Sequence, residues 1–538
     1  MKQLLKNGTI YDGTGGESYR GEILVEDDKI ARVFNYSETA GYEGSDVDAV
    51  YDLEGRSVSP GFIDMHSHND WFAIKKDPLP YFEPFIRQGI TTFIAGNCGL
   101  SAVGFDRETE HVDKMGGNLF GYKEDTIGTY PSAKDLLDEV DNNCPCNMAT
   151  LVGHGSARAS VVGFENRDLT EEETGEMIRI LEESLKGGAL GVSLGLMYEP
   201  GLYSSNEELR KVVELCVKHD KVLTVHPKAE SKVSMGYPQL LGRSHLLRAL
   251  DDLVEISKGT DLKLQYSHAI FIGAKTQKDM PEFLEIVKKL REEGVRFQWD
   301  IYNDTYGVSV ITVFMPAWYM GMSEEERNKP LNKLKISALV NATKMLLGFN
   351  FNNVEIAYIG PGYEKYEGKT VAELAREYHK KDLDMYLQLC RESDFKGRVN
   401  MGPYTTEEII HRFEKNPLCL YMTDAWVEEH GVQNPALYDC FPRFLQDSLK
   451  GLGDTMPQTI RRMTGASADR FEIKDRGYIK PGCFADLTVF DEDELREAVP
   501  DKKSAFGIRK VMINGKMVLD NNLLDAEALK TSGKAIRG

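Results

Sequence analysis

Through the middle of the chain, apolar runs of strand length alternate with amphipathic runs of helical period. Helical patterns over Glu171 to Leu185, Glu207 to His219, Leu246 to Lys258 and Pro281 to Glu293 are each followed by a buried-looking strand. Those strands are Ala189 to Leu194, Val222 to Val225, Leu262 to Tyr266 and Val295 to Trp299. Apolar strand, polar loop and helix in repetition is the βα pattern of a parallel sheet. Strand candidates near Ser59, Thr91, Met148, Ala189, Val222, Leu262, Val295 and Leu418 bring the number to eight. Eight parallel strands predict an α/β fold of the (β/α)8 TIM-barrel type, whose chemistry sits at the C-terminal ends of its strands.

Metal-ligand residues stand where those runs stop. His66 and His68 follow Phe62-Ile63-Asp64-Met65, Cys98 follows Phe93-Ile94-Ala95-Gly96-Asn97, His226 follows Val222 to Val225, His268 follows Leu262 to Ser267, and Asp424 follows Leu418 to Thr423. One histidine after an apolar run means little. Five strand ends punctuated by N, S and O ligands suit a divalent metal and point to metal-assisted hydrolysis. Alternate side chains of an extended segment share a face, so both imidazoles of His66-Ser67-His68 can point into the barrel.

The chain ends have another character. Leu4 to Tyr11, Glu22 to Val25 and Lys29 to Phe34 are short strands joined by turns, and so are Asp486 to Phe490, Lys510 to Asn514 and Lys516 to Leu519. The expectation is a small β-sandwich from residues 1–59 and 476–538 around a barrel over 60–475. Residues from about 306 to 404 exceed one βα loop, and they are expected to form an insertion or lid at the barrel mouth that contributes to substrate choice.

Bulk properties remove several functions. A net charge of -20 opposes a nucleic-acid partner, because phosphate binding needs basic surface. No stretch reaches membrane-spanning length, and Met1 to Gly8 lacks the apolar core of a signal peptide. The eight scattered cysteines suit reduced core thiols and a cytoplasmic address. Cys144-Pro145-Cys146 has no second pair nearby, and core packing is the reading for both thiols.

Pro60-Gly61-Phe62-Ile63-Asp64-Met65-His66-Ser67-His68 resembles the opening metal motif of the amidohydrolase superfamily. Gly96-Asn97-Cys98-Gly99, Gly153-His154-Gly155 with Arg158, Gly191 to Leu196 before Tyr198-Glu199-Pro200-Gly201, and Gly477 to Leu487 resemble its N-acyl-D-amino-acid deacylase (D-aminoacylase) branch. The likeness extends over nearly the whole chain. It implies a barrel with a terminal β-sandwich, and a cysteine, here Cys98, in place of the carboxylated lysine of some relatives. It implies a tight zinc site from Cys98, His226 and His268 with one position open, and a second, weaker site from His66 and His68 sharing Cys98 and Asp424. It also assigns Asp424 as general base and then general acid, which fits the drop in the pKa of water to about 7 on a metal.

His154, Arg158, Tyr198, Lys228 and Tyr302 are the candidate substrate-binding residues. Arg158 equally suits a structural ion pair, and the two tyrosines suit either packing or donation to a developing oxyanion. The family commonly has His-x-Arg after the fifth strand, where this chain has His226-Pro227-Lys228, and a lysine where this chain has Ile270. Isoleucine cannot hold a carboxylate, and lysine holds one differently from arginine. The resulting expectation is a zinc-dependent hydrolase of a non-peptide amide, with a small N-acyl-D-amino acid or related N-acyl amine as substrate. A cyclic-amide hydrolase of the hydantoinase type is the alternative, and a non-catalytic scaffold would need lost ligands.

Overall fold

The computed structural model describes every residue except 106–108, 110, 113, 116–129, 235, 238–241 and 321. Eight parallel strands ring the centre: Phe62–Asp64, Ile90–Ala95, Asn147–Thr150 continued by Val152–Gly153, Gly191–Gly195, Val222–His226, Lys263–Tyr266, Gln298–Ile301 and Cys419–Tyr421. The first three pair in register, and so do the third through the eighth. Between eighth and first, Thr423 N donates to Asp64 Oδ1 at 3.1 Å and Asp424 N to the His66 carbonyl at 3.3 Å, which closes the ring. Strands two through six are buried at every position, as a sheet lined inside and covered outside by helices requires.

The covering helices begin where the sequence supplies caps. Thr170 and Glu173 form a capping box ahead of Glu171–Lys186, and Ser205 caps Asn206–Lys218. Met177, Leu181 and Leu185 of the one, with Val212, Val213 and Cys216 of the other, turn inward at helical spacing.

Both chain ends enter one nine-stranded sheet. Lys2–Ile10 pairs with Tyr19–Glu26 on one side and with Ser57–Pro60 on the other, and Ser57–Pro60 pairs antiparallel with Leu487–Phe490. Leu5, Ile23, Val25 and Val58 share a core with Leu487, Val489 and Met512, so neither end buries its apolar face without the other. Ser59 therefore belongs to this sheet, and the barrel begins at Phe62. The intervening Gly61 is where the chain changes sheets: a Cβ there would strike the Thr91 side chain.

Between the seventh and eighth strands, Gly307–Val310, Arg398–Met401 and Val354–Tyr358 form an antiparallel sheet. Helices Pro330–Leu347, Val371–Glu377 and Asp382–Glu392 accompany it. Phe314, Phe351 and Tyr386 meet at ring separations of 5.2–6.4 Å, in a core continuous with that of the barrel. Among the described residues, no helix is long and apolar enough to cross a membrane.

Candidate metal centre

Three of the candidate ligands lie in the left-handed backbone region: Cys98 at φ 55°, His268 at φ 33° and Asp424 at φ 48°. Each sits just after a barrel strand. The conformation costs about 1–3 kcal/mol per residue and persists only where surroundings over-determine it. Around Cys98 the reason is visible. Gly96 and Gly99 also have positive φ, and a Cβ on Gly99 would come within 2.6 Å of Gly195 N. Ser193 of strand four accepts from Gly99 N at 2.9 Å and donates to the Gly96 carbonyl at 2.5 Å, pinning the Gly-Asn-Cys-Gly turn from both sides. His66 and His68 lie beyond the end of the first strand, on the segment leading into Asp70–Ala73.

These turns converge on one point. Cys98 Sγ stands 3.2 Å from His66 Nε2, 3.6 Å from His226 Nδ1 and 3.7 Å from His268 Nε2. A tetrahedral zinc, with about 2.3 Å to sulfur and about 2.0–2.1 Å to nitrogen, sets sulfur–nitrogen edges of about 3.6 Å. Cys98, His226 and His268 have that spacing. Asp424 Oδ1 stands 3.5 Å from His66 Nε2 and 3.6 Å from His68 Nε2. The trios His66/His68/Cys98, Cys98/His226/His268 and His66/His268/Asp424 each place their ligand atoms within 4.8 Å of one another, so all six candidates share one cluster.

The electrostatics suit a cation. Burial opposes the Cys98 thiolate, yet the charge of His66 and hydrogen bonds from His226 and His268 carry it well below the ordinary thiol range. Asp424 is likewise drawn down, against burial, by His66, His68 and His268. Against burial again, Cys98 and Asp424 raise His66 well above its usual value, and they raise His68 to about 9. Protons drawn to the imidazoles occupy the electrostatic place that a divalent ion fits. Thiolate, imidazole and carboxylate are the donors such an ion needs.

Behind the cluster stand two carboxylates that sequence reasoning missed. Glu230 Oε1 is 2.5 Å from His268 Nδ1. Asp300 Oδ1 accepts from His268 N at 2.6 Å and lies 3.5 Å from His66 Nδ1, while Oδ2 accepts from Gln265 Nε2 at 2.9 Å. Arg470 Nε in turn donates to Gln265 Oε1 at 3.1 Å. Such outer partners fix the orientation of a ligating imidazole. The available signal was a charged residue inside the apolar run Phe297-Gln298-Trp299-Asp300-Ile301.

The substrate-binding candidates divide. Tyr198 and Tyr302 line the cleft above the cluster, and Tyr198 Oη is 2.6 Å from His226 Nδ1. His154 and Arg158 do not line it: both are fully buried, and both bond Glu208, at 2.7 Å and 3.2 Å. Arg158 also donates to the Arg167 carbonyl, so it is spent on structure. Lys228 faces another way, its ammonium 5.4 Å from the Tyr237 ring centre. Cys144 and Cys146 are buried, and desolvation pushes the Cys144 thiol up to about 12, which fits core packing. The cleft holds about 580 Å³, with Ile270, Ile272 and Trp426 among its walls and Val308, Val310 and Tyr358 contributed by the inserted segment.

Residues 49–399 match the family model described as "Amidohydrolase family". The chain belongs to the amidohydrolase family. As a member it is a metal-dependent hydrolase of carbon–nitrogen bonds other than peptide bonds. It is 26% identical to a D-aminoacylase of Alcaligenes xylosoxydans xylosoxydans over 96% of this chain and 94% of that one. It is 24% identical to an N-acyl-D-glutamate deacylase of the same organism, over 95% and 92%. In fold it matches the zinc- and phosphonate-bound N-acyl-D-glutamate deacylase of Bordetella bronchiseptica, with a TM-score of 0.76, 23% identity and coverage of 100% and 99%. That agreement bears out the expected barrel with its β-sandwich.

Proposed function

We propose that the chain hydrolyses the amide bond of a small N-acyl amine, best an N-acyl-D-amino acid, to a carboxylate and an amine. The observation that carries this is the position of Asp424, within 3.6 Å of His66 and His68 at the edge of a thiolate–imidazole cluster with zinc spacing. Cys98, His226 and His268 would hold a tight zinc, and His66 and His68, sharing Cys98 and Asp424, a weaker second one. Zinc bound there supplies Lewis acidity toward a carbonyl oxygen and toward water. Asp424, kept ionised by its histidine neighbours, takes the proton of the attacking water and returns it to the departing nitrogen. Tyr198 and Tyr302 present hydroxyls to the same cleft, where a developing oxyanion needs donors. Cys98 serves as ligand and not as nucleophile, since three imidazoles surround its sulfur.

In this reading the barrel over residues 60–475 does the chemistry and the module of 1–59 and 476–538 braces it. The segment from about 306 to 404 covers the mouth. A cytoplasmic setting is supported by eight buried, free cysteines. The cyclic-amide alternative rests on fold, through the L-hydantoinase of Arthrobacter aurescens at a TM-score of 0.54 and 14% identity, and on a partial sequence likeness, 24% over 55% of this chain, to a dihydroorotase of Lactobacillus leichmannii.

Two measurements test the proposal together. The tight zinc of Cys98, His226 and His268 should persist on elemental analysis of Asp424→Asn while kcat falls about 10²–10⁴-fold, the range for a lost general acid–base. Product analysis should find free amine; ring opening without amine release would favour the cyclic-amide reading.

A further inference from the structure

The cleft is polarised. From the barrel side come Ile270 and Ile272, which offer no donor, and Glu230, which is committed to His268. Glu428 and Glu429 add further negative charge. Among the described residues lining the cleft, apart from histidines, the cationic side chains are Lys396 and Arg398, and both come from the inserted segment. Elsewhere outside the metal cluster an anion meets neutral hydroxyls and an amide, acid or hydrocarbon, and, histidines apart, no other cationic side chain among the described residues lining the cleft.

The two cations are built differently. Arg398 is fixed: Nη1 donates to the Val432 carbonyl at 2.9 Å, Nη2 to the His430 carbonyl at 2.6 Å, and Nε lies 3.3 Å from Glu428. Those contacts set the plane of the guanidinium and use three of its five N–H groups, leaving two for a ligand. Lys396 is 75% exposed, and its partner Asp394, 3.6 Å away, is 87% exposed. An exposed pair of that kind is worth at most about 1 kcal/mol, so the ammonium can leave it for a better anion.

We propose that Lys396 and Arg398 together hold the carboxylate of the substrate, the lysine capturing it at the mouth and the arginine setting its register. The proposal rests on the amidase reading above, with an anionic substrate. It makes the barrel responsible for cutting and the insertion responsible for choosing.

The test compares N-acetyl-D-leucine with N-acetyl-D-leucinamide, which keeps the scissile amide and loses the anion, on zinc-loaded full-length protein. The readout is the ratio of kcat/KM for acid over amide. Lys396→Ala should lower that ratio about tenfold, through KM and not kcat, and Lys396→Glu should lower it further, as loss and then reversal of an ion-pair partner require. Arg398 also anchors two carbonyls, so the exposed Lys396 carries the decision. A ratio within fivefold of wild type in both lysine variants overturns the clamp, and so does a wild type that cleaves the amide but not the acid; both leave the amidase reading standing. A wild type that releases amine from neither compound sinks that reading, and the clamp with it.

Discussion

The floor and the outer wall of the cleft are made by opposite means. On the floor, the candidate ligands sit at the ends of five barrel strands, three in left-handed backbone, with Ser193, Asp300 and Glu230 holding them from behind. The outer wall is a small antiparallel sheet inserted between strands seven and eight, facing the floor with Val308, Val310 and Tyr358. A constellation that needs sub-ångström placement is built on the most over-determined part of the fold. In the reading proposed above, substrate choice falls to the inserted segment.

That contrast can be broken experimentally. On the floor, Cys98→Ala removes the sulfur common to two of the three ligand trios. Zinc content should fall and activity nearly vanish; full metal loading would end the case for thiolate ligation. Glu208→Gln removes the charge that pairs buried His154 and Arg158. It should cost about 3–5 kcal/mol in denaturant unfolding, the penalty for an uncompensated buried ion, with kcat per folded molecule little changed. A kcat loss with intact stability would restore the pair to the active site. Asp300→Asn should weaken zinc binding about 10–100-fold in a chelator competition, the usual effect of an outer partner. On the wall, Val308→Ala should leave zinc affinity untouched and change kcat/KM about fivefold, about 1 kcal/mol. A wall substitution that altered metal binding would dissolve the distinction between the two surfaces.

The same contrast explains what was legible in the sequence. Helix Glu171–Lys186 is one residue longer than its apolar period predicts, and Asn206–Lys218 is displaced by one, because amphipathic spacing and Thr170 or Ser205 caps are local signals. The clustered candidate ligands were legible because a strand end is a local event. Their supporters were not: Glu230 reaches His268 from a neighbouring loop and Asp300 reaches it across strands six and seven, contacts that exist only once the ring closes. His154 and Arg158 misled for the same reason. Their strand-end position is real, but Glu208, on a helix some fifty residues later, turns both away from the cleft. The first barrel strand was expected near Ser59 but begins at Phe62, because an apolar run carries no mark of the sheet it joins, and Ser59's partner Thr488 lies at the other end of the chain.

That pairing of Ser57–Pro60 with Leu487–Phe490 has a consequence for how the protein must be made. The strand that leads to His66 and His68 starts at Phe62, directly beyond a ribbon whose neighbour is synthesised more than four hundred residues later. On the ribosome, the amino-terminal ribbon waits with an open edge, exposed to mispairing, until the chain is almost finished. A nascent chain halted before residue 487 therefore lacks the partner of the ribbon that leads into the first barrel strand.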